Sequence, residues 1–171
     1  LGHVIRLGSL AAACLLADAA QAAPARVAGA PTCRELERKL DLTKAEATST
    51  QLNLMLFSAA DAGCLPLARR LLEAGASLEA RDRFGAMALA RAARSGHLAL
   101  VELFLARGAA IDARNLEGAT ALYAATENER QATVAALLAN KADPNLPGAS
   151  GVTPLAAAAC KGNGRIVDGT G

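Results

Sequence analysis

The chain has 171 residues and a formal net charge of +2. The length allows one domain, and a net charge this small is no argument for nucleic acid as a partner. Hydrophobic residues make up 53% of the chain but aromatic residues only 2%, so alanine supplies much of the apolar content. This composition favours thin helix-on-helix packing over one thick globular core.

The N-terminal segment 1–22 has the features of a secretory signal peptide. Arg6 supplies a positive charge, positions 7–16 form an apolar run, and Ala20-Gln21-Ala22 is a small-residue cleavage site. We therefore expect cleavage after Ala22 and a periplasmic or secreted protein. The apolar run is too short to span a bilayer, so no integral membrane segment is expected in the mature chain.

Two alternatives for this segment stay open. In one, the segment 1–22 forms a buried N-terminal helix of the domain. In the other, the chain is a lipoprotein anchored at Cys14, which follows three alanines. The signal peptide is favoured because the apolar run stands at the very N-terminus and leads into the segment 23–31, whose Ala, Pro and Gly predict a linker.

The segment 32–50 predicts an N-terminal helix. A capping-box pattern marks its start, because the Thr32 side chain can accept a backbone N–H bond while Glu35 reaches back to the chain before it. The apolar side chains that follow share one helical face. We expect this helix to run from Cys33 to Ala47.

The rest of the chain repeats a similar sequence at a constant spacing without a gap. Positions 85 and 118 are one repeat apart. Self-similarity at a fixed step is the sequence signature of a tandem repeat. The repeated columns hold Gly, Leu or Ala: Gly85, Gly118 and Gly151; Leu56, Leu89, Leu122 and Leu155; Ala59, Ala92, Ala125 and Ala158; Leu72, Leu105 and Leu138; Ala76, Ala109 and Ala142.

Each unit predicts two short helices. In the second unit apolar residues recur at helical spacing before Gly96, and another apolar stripe that includes Leu105 precedes Gly108. One such pair cannot bury its apolar face alone, so neighbouring pairs must stack. Leu105 is expected to be buried between the second and third repeats.

These residues resemble the ankyrin repeat family over Gln51 to Asp168. The family pattern D-x-x-G-x-T-P-L-H-x-A-A-x-x-G-H-L, followed by V-x-x-L-L-x-x-G-A, is matched in one unit by Asp82, Gly85, Leu89, Ala92, Ala93, Gly96, His97, Leu98, Val101, Leu105, Gly108 and Ala109, and its T-P-L by Thr153, Pro154 and Leu155. The resemblance implies an all-α fold, a solenoid of stacked helix-turn-helix units joined by β-turn or hairpin loops, with the N-terminal helix capping the first repeat. The units are 51–80, 81–113, 114–146 and 147–171, and the last is truncated.

Four residues depart from the family pattern. Met87 stands where Thr is usual and Tyr123 where His is usual, while Glu129 and Lys141 stand where glycines usually end the helices. The third unit is therefore expected to have looser helix caps.

Partners of this family usually contact the turn tips and the exposed positions of the first helices. Carried over by position, the resemblance implies a partner-binding face at Arg81, Arg83, Phe84, Arg91, Arg94, Arg114, Leu116, Glu117, Tyr123, Glu127 and Asn128. Its five arginines predict a protein partner with an acidic surface, and Phe84 or Tyr123 can anchor it. A solvated charged face without a partner remains the alternative.

The cysteines outside the signal peptide are Cys33, Cys64 and Cys160. An exported chain meets oxidising conditions. Cys33 lies on the core-facing side of the capping helix and Cys64 in the turn of the first repeat, so we propose a disulfide between them. Cys160, three repeats away, is expected to be an isolated small core residue.

No catalytic, phosphate-binding or metal-binding motif is present. His97 is the one histidine outside the signal peptide, and its position predicts local hydrogen bonding rather than a role as ligand or base. We expect no enzyme, cofactor or metal. The leading hypothesis is an exported protein-binding module. The alternatives are a permanent accessory subunit of an exported enzyme complex and an enzyme with an unrecognised site.

Overall fold

The computed structural model describes residues 32–43, 47–148 and 151–160, and the predicted signal peptide, Cys14 and the linker lie outside them. The described part holds helices and no strands. In chain order the helices are α1 (Cys33–Thr43), α2 (Ser49–Ala62), α3 (Leu65–Glu73), α4 (Ala88–Ser95), α5 (Leu98–Ala106), α6 (Ala121–Glu127), α7 (Gln131–Ala139) and α8 (Pro154–Cys160).

The helices form two layers. The first helices of the repeats, α2, α4, α6 and α8, pack against one another in that order. The second helices, α3, α5 and α7, make the other layer, and α1 packs against α2 and α3 at the end of the stack. Alanines at Ala59, Ala92 and Ala125 are fully buried, so their small side chains let neighbouring helices approach closely. The predicted all-α solenoid is confirmed.

The capping helix α1 begins with the expected box, since the Thr32 amide donates to Glu35 Oε2 at 2.6 Å. It ends at Thr43, earlier than the predicted Ala47, which is not helical. A second capping box starts α2: the Thr48 amide donates to the Gln51 side chain at 2.9 Å, and Thr48 accepts from the Gln51 amide at 3.3 Å. The first repeat therefore begins slightly before Gln51.

The structure corrects the prediction for Leu105. Leu105 is only partly buried, whereas the preceding Phe104 is fully buried, and Leu71 and Leu137 occupy the same core column one repeat on either side. Successive residues of a helix point about 100° apart, so Phe104 and Leu105 cannot both point directly into the core. Both positions recur at the same repeat step, so the step does not show which of the two residues is buried.

The expectation of looser caps in the third repeat is also corrected. Gly63 and Gly96 end α2 and α4 with φ of 77° and 82°, and Glu129 adopts the same left-handed conformation with φ of 57°. Lys141 does likewise with φ of 67°. The cap bonds persist, as the Arg130 amide donates to the Ala125 carbonyl at 2.9 Å. The geometry is kept at the cost of backbone strain.

Cys33 and Cys64, the pair proposed above, are joined by a disulfide with a Cα–Cα distance of 5.5 Å. The bond ties the start of α1 to the corner between α2 and α3, and Cys64 is almost completely buried there. The expectation for Cys160 is wrong. It is exposed at the end of α8, and none of the cysteines that the structure describes is free.

Candidate partner-binding face

The turns between repeats are built by one polar side chain each. Asp82 Oδ1 accepts from the amides of Phe84 and Ala86 at 2.8 and 2.9 Å. One repeat later, Asn115 Oδ1 accepts the equivalent pair from Glu117 and Ala119 at 3.0 and 2.8 Å. Both turns are thus closed by a short polar side chain that bonds its own backbone.

Adjacent turns are also tied to each other. The Leu116 amide donates to the Phe84 carbonyl at 3.0 Å, so the two tips lie side by side. The side chains at these tips face solvent, with Leu116 79% exposed and Phe84 52% exposed. Arg83 covers the Phe84 ring, its Cζ lying 4.7 Å from the ring centroid. The tips therefore present apolar surface beside a positive charge.

Two of the five predicted arginines act within the fold. Arg81 Nη1 donates to the carbonyls of Gly85 and Arg114 at 2.8 and 2.7 Å. Arg114 repeats the pattern one unit on, donating to Gly118 at 2.8 Å and to Pro147 at 3.1 Å. Each guanidinium therefore joins its own turn to the next one, and part of its donor capacity is used by main-chain carbonyls.

A third arginine, Arg91, lies between two carboxylates. Its Nε donates to Asp61 Oδ1 at 3.1 Å, and its terminal nitrogens bond Asp61 and Asp82. The Arg91 side chain is 22% exposed, and its guanidinium also lies near the ring of Phe57. Arg91 is therefore substantially charge-compensated before any partner arrives.

The electrostatics of this cluster follow from burial and pairing. Burial by itself would raise the pKa of Asp82, but the amides of Ala86 and Phe84 and the Arg91 guanidinium outweigh it and hold that pKa below its usual range. Burial likewise opposes the charge on Arg91, yet its bonds to Asp61 and Asp82 raise its pKa above the ordinary value. Asp82 and Arg91 are thus both ionised at neutral pH.

A concave groove of about 400 Å³ lies between the turn tips and the first helices of repeats two and three. Its charged lining consists of three arginines and two acids, and alanines supply much of the remainder. The lining residues are Asp82, Arg83, Phe84, Ala86, Ala90, Arg91, Arg94, Asn115, Glu117, Ala119, Thr120 and Ala124.

The groove brings together five of the predicted partner-binding residues, namely Arg83, Phe84, Arg91, Arg94 and Glu117. Sequence reasoning missed the other lining residues, which are the turn residues Asp82 and Asn115, four alanines and Thr120. The sequence does carry a signal for two of them, because Ala86 and Ala119 stand at equivalent positions of consecutive repeats, next to the turns. The Arg94 side chain is 57% exposed, and its terminal nitrogen lies 3.7 Å from Asp61 Oδ1.

The prediction that Tyr123 is an exposed anchor is wrong. Tyr123 is 7% exposed and packs in a small cluster with Ala119 and Ala157. Its ring lies against Gly148, where an added Cβ would come within 2.3 Å of the ring. The glycine of the next turn thus makes room for the tyrosine. Burial, followed by the carboxylates of Glu127 and Glu117, raises the pKa of Tyr123.

The last two predicted contact residues lie outside the groove lining. Glu127 is exposed at the end of α6. Asn128 is half-buried and its Nδ2 donates to the Ala124 carbonyl at 2.8 Å, which satisfies the end of the helix.

His97 connects repeats rather than bonding locally. Its Nε2 lies 2.9 Å from the carbonyl oxygen of Asp61, 36 residues earlier, so Nε2 carries the donated hydrogen. Arg130 stands one repeat after His97, and its Nε donates to the Arg94 carbonyl at 3.2 Å in the same relation. The local bonding expected for His97 is therefore wrong, and the residue is a tie between repeats one and two.

The described residues contain no group of three or more His, Cys, Asp or Glu side chains arranged to hold a metal ion. No helix in the described part of the chain has the length and apolar character needed to cross a bilayer.

Two helical layers, a constant repeat step and stacked turn tips define a tandem-repeat solenoid. The family model for ankyrin repeats in three copies matches residues 54–148 and 89–168. The chain therefore belongs to the ankyrin repeat family, and its repeats indicate a protein–protein interaction module. A search of curated individual proteins gives no match.

Proposed function

We propose that the protein binds a protein partner through the groove of repeats two and three, without catalysing a reaction. The observation that carries this proposal is the exposed pair of Phe84 and Leu116 at tips that border a concave surface. Large apolar side chains held in solvent beside polar residues are typical of interaction sites. The hydrogen-bonded turns hold these side chains in place before binding, which lowers the entropy cost of association.

The partner chemistry follows from which charges remain available. Arg91 is compensated by Asp61 and Asp82, and Arg81 and Arg114 bond main-chain carbonyls. Attraction of an acidic partner therefore depends mainly on Arg83 and Arg94. We propose a partner segment with an apolar side chain that contacts Phe84 and an adjacent carboxylate that reaches Arg94.

We also propose that the protein works outside the cytoplasm, in the periplasm or as a secreted protein, with a lipoprotein anchored at Cys14 as the alternative. The signal-like segment 1–22 supports export. The Cys33–Cys64 disulfide adds independent support, because such bonds persist in oxidising compartments.

The test is capture of partners from extracts by the purified protein, followed by affinity measurement. Changing Arg83→Glu together with Arg94→Glu should weaken binding at least about tenfold and flatten its salt dependence. Phe84→Ala should weaken binding without changing the salt dependence. Arg107→Glu is the matched control, since Arg107 is exposed at the end of α5 in the other layer. Equal affinities for all variants would refute the assignment of the groove.

The same capture experiment separates a transient partner from a permanent complex. A charge-steered partner should be lost as salt is raised, because exposed charges are screened beyond about 10 Å at 0.1 M salt. A permanent subunit of a larger assembly should stay bound, since obligate interfaces are larger and more apolar.

A further inference from the structure

The capping helix α1 is held to the solenoid by few contacts. It has 11 residues, and isolated helices shorter than about 12–15 residues are marginal in water. Its buried residues are Leu36 and Leu40. Its ion pair with the first repeat, Asp41 with Arg70, is largely exposed to solvent and therefore stabilises little. The disulfide is thus the strongest attachment of α1.

The disulfide also lies next to the charge cluster of the groove. Cys64 is three residues after Asp61, across the left-handed turn at Gly63. Asp61 holds Arg91 through its carboxylate and His97 through its carbonyl. The corner of residues 61–64 therefore bonds to α1 on one side and to the second repeat on the other.

We propose that the Cys33–Cys64 disulfide is a redox-sensitive latch: its reduction releases α1, loosens the corner of residues 61–64 and frees Arg91 from Asp61, so that Asp82 alone compensates its charge in the groove. The effect on binding rests on the proposed function, because the groove is the surface whose charge changes. The terminal repeat is the part of a solenoid most able to respond, since it has a repeat neighbour on one side alone.

The chemistry is a thiol–disulfide exchange with a dithiol reductant. A thiolate of the dithiol attacks Sγ of Cys33, the more exposed half, and the Cys64 sulfur leaves. Cys64 is the N-cap residue of α3, where the helix dipole favours the departing thiolate before it takes a proton. The second thiol of the dithiol then displaces Cys33. Two protein thiols form, and the dithiol becomes a disulfide.

The first test uses the double variant Cys33→Ser/Cys64→Ser, which removes this bridge without a reductant that would also act on Cys160. Hydrogen exchange of the α1 amides and of the Arg91 Nε–H should be at least about tenfold faster than in the parent, with α6 and α7 amides within about twofold. Unchanged exchange at Arg91 would overturn the proposal. So would equal acceleration in α6 and α7, because that result means global destabilisation.

Asp61→Asn with the bridge intact is the matched control. It should speed exchange of the Arg91 Nε–H while leaving the α1 amides unchanged, since α1 stays bonded to the corner. In the native parent, dithiothreitol should reduce Cys33–Cys64 while α6 and α7 remain protected, and a bridge that resists reduction until the repeats unfold would also overturn the latch. None of these measurements uses a partner, so they stand or fall separately from the proposed function.

Discussion

Asp61 of α2 and Arg91 of α4 face each other across the boundary between the first two repeats and are joined by two hydrogen bonds. Their side chains are 33% and 22% exposed, so solvent screens the pair only in part. Because Arg91 also bonds Asp82, one guanidinium links the end of α2, the turn of repeat two and α4. This relationship explains why an arginine that looks available in the sequence is largely occupied in the fold.

Replacing Asp61 tests this link. Asp61→Asn should lower the free energy of unfolding by about 1–2 kcal/mol, because hydrogen bonds to charged groups contribute about that much and partial exposure reduces it. Asp41→Asn, which breaks the exposed pair with Arg70, is the control and should have no measurable effect. Denaturant melts of both variants provide the measurement, and equal losses would show that burial does not distinguish the two pairs.

Replacing two neighbouring residues of α5 with alanine should lower the free energy of unfolding by different amounts, because only one of them is fully buried. Phe104→Ala should cost about 3–5 kcal/mol, because a fully buried aromatic side chain is lost and a cavity remains. Leu105→Ala should cost less than about 2 kcal/mol, since Leu105 is partly exposed and its site can relax. A larger loss for Leu105 in urea melts would place the register of α5 one residue further on.

The strained caps of repeat three predict two stabilising changes. Glu129→Gly and Lys141→Gly should each raise the free energy of unfolding by about 0.5–1 kcal/mol, because glycine adopts positive φ without a Cβ penalty. Glu102→Gly, in the middle of α5, is the control and should lower stability by about 1 kcal/mol. If all three substitutions lower the stability by the same amount, the positive φ of Glu129 and Lys141 does not destabilise the protein.

Thr133 predicts a gain from removing a polar group. Its Oγ1 is buried and has no hydrogen-bond partner in the described part of the chain, while Leu67 and Leu100 stand at the same position of the preceding repeats. Thr133→Val should therefore raise the free energy of unfolding by about 1 kcal/mol. Thr126→Val should not, because the Thr126 hydroxyl donates to the Leu122 carbonyl at 2.9 Å. Thermal melts of the two variants check the difference.

Asp82 predicts a dependence on acid pH. Its folded pKa is depressed, so the stability it contributes is present above the ordinary aspartate pKa of about 3.9 and is lost as the pH falls through the lower folded value. Asp82→Asn keeps an oxygen for the two turn amides, as Asn115 does in the next turn. The variant should be less stable than the parent at neutral pH, and the gap should close as the pH falls below the ordinary aspartate pKa. A gap that stays constant across this range would exclude the carboxylate charge as its cause.

Much of the fold could be predicted from the sequence because equivalent apolar positions recur in several repeats and must be buried in the same way. Leu56, Leu89 and Leu122 share one column and are buried, as their recurrence predicted, whereas Leu155 in the last repeat is 42% exposed. The candidate site was predictable in location, since Arg83, Phe84 and Arg94 do line one groove. Its chemistry was not predictable, because the counter-charges of Arg91 come from positions 30 and 9 residues away.

The period, the helix pairs and the turns follow from the amino-acid sequence alone, because these depend on local spacing and on glycines that recur from one repeat to the next. Which side chains are free to bind a partner depends on how the repeats stack. Arg81 and Arg114 became ties between turns, Arg91 became part of an ion cluster, and Tyr123 was buried over Gly148. Exposure and charge availability depend on what the neighbouring repeat places within a few ångströms, and that proximity exists only after the repeats stack.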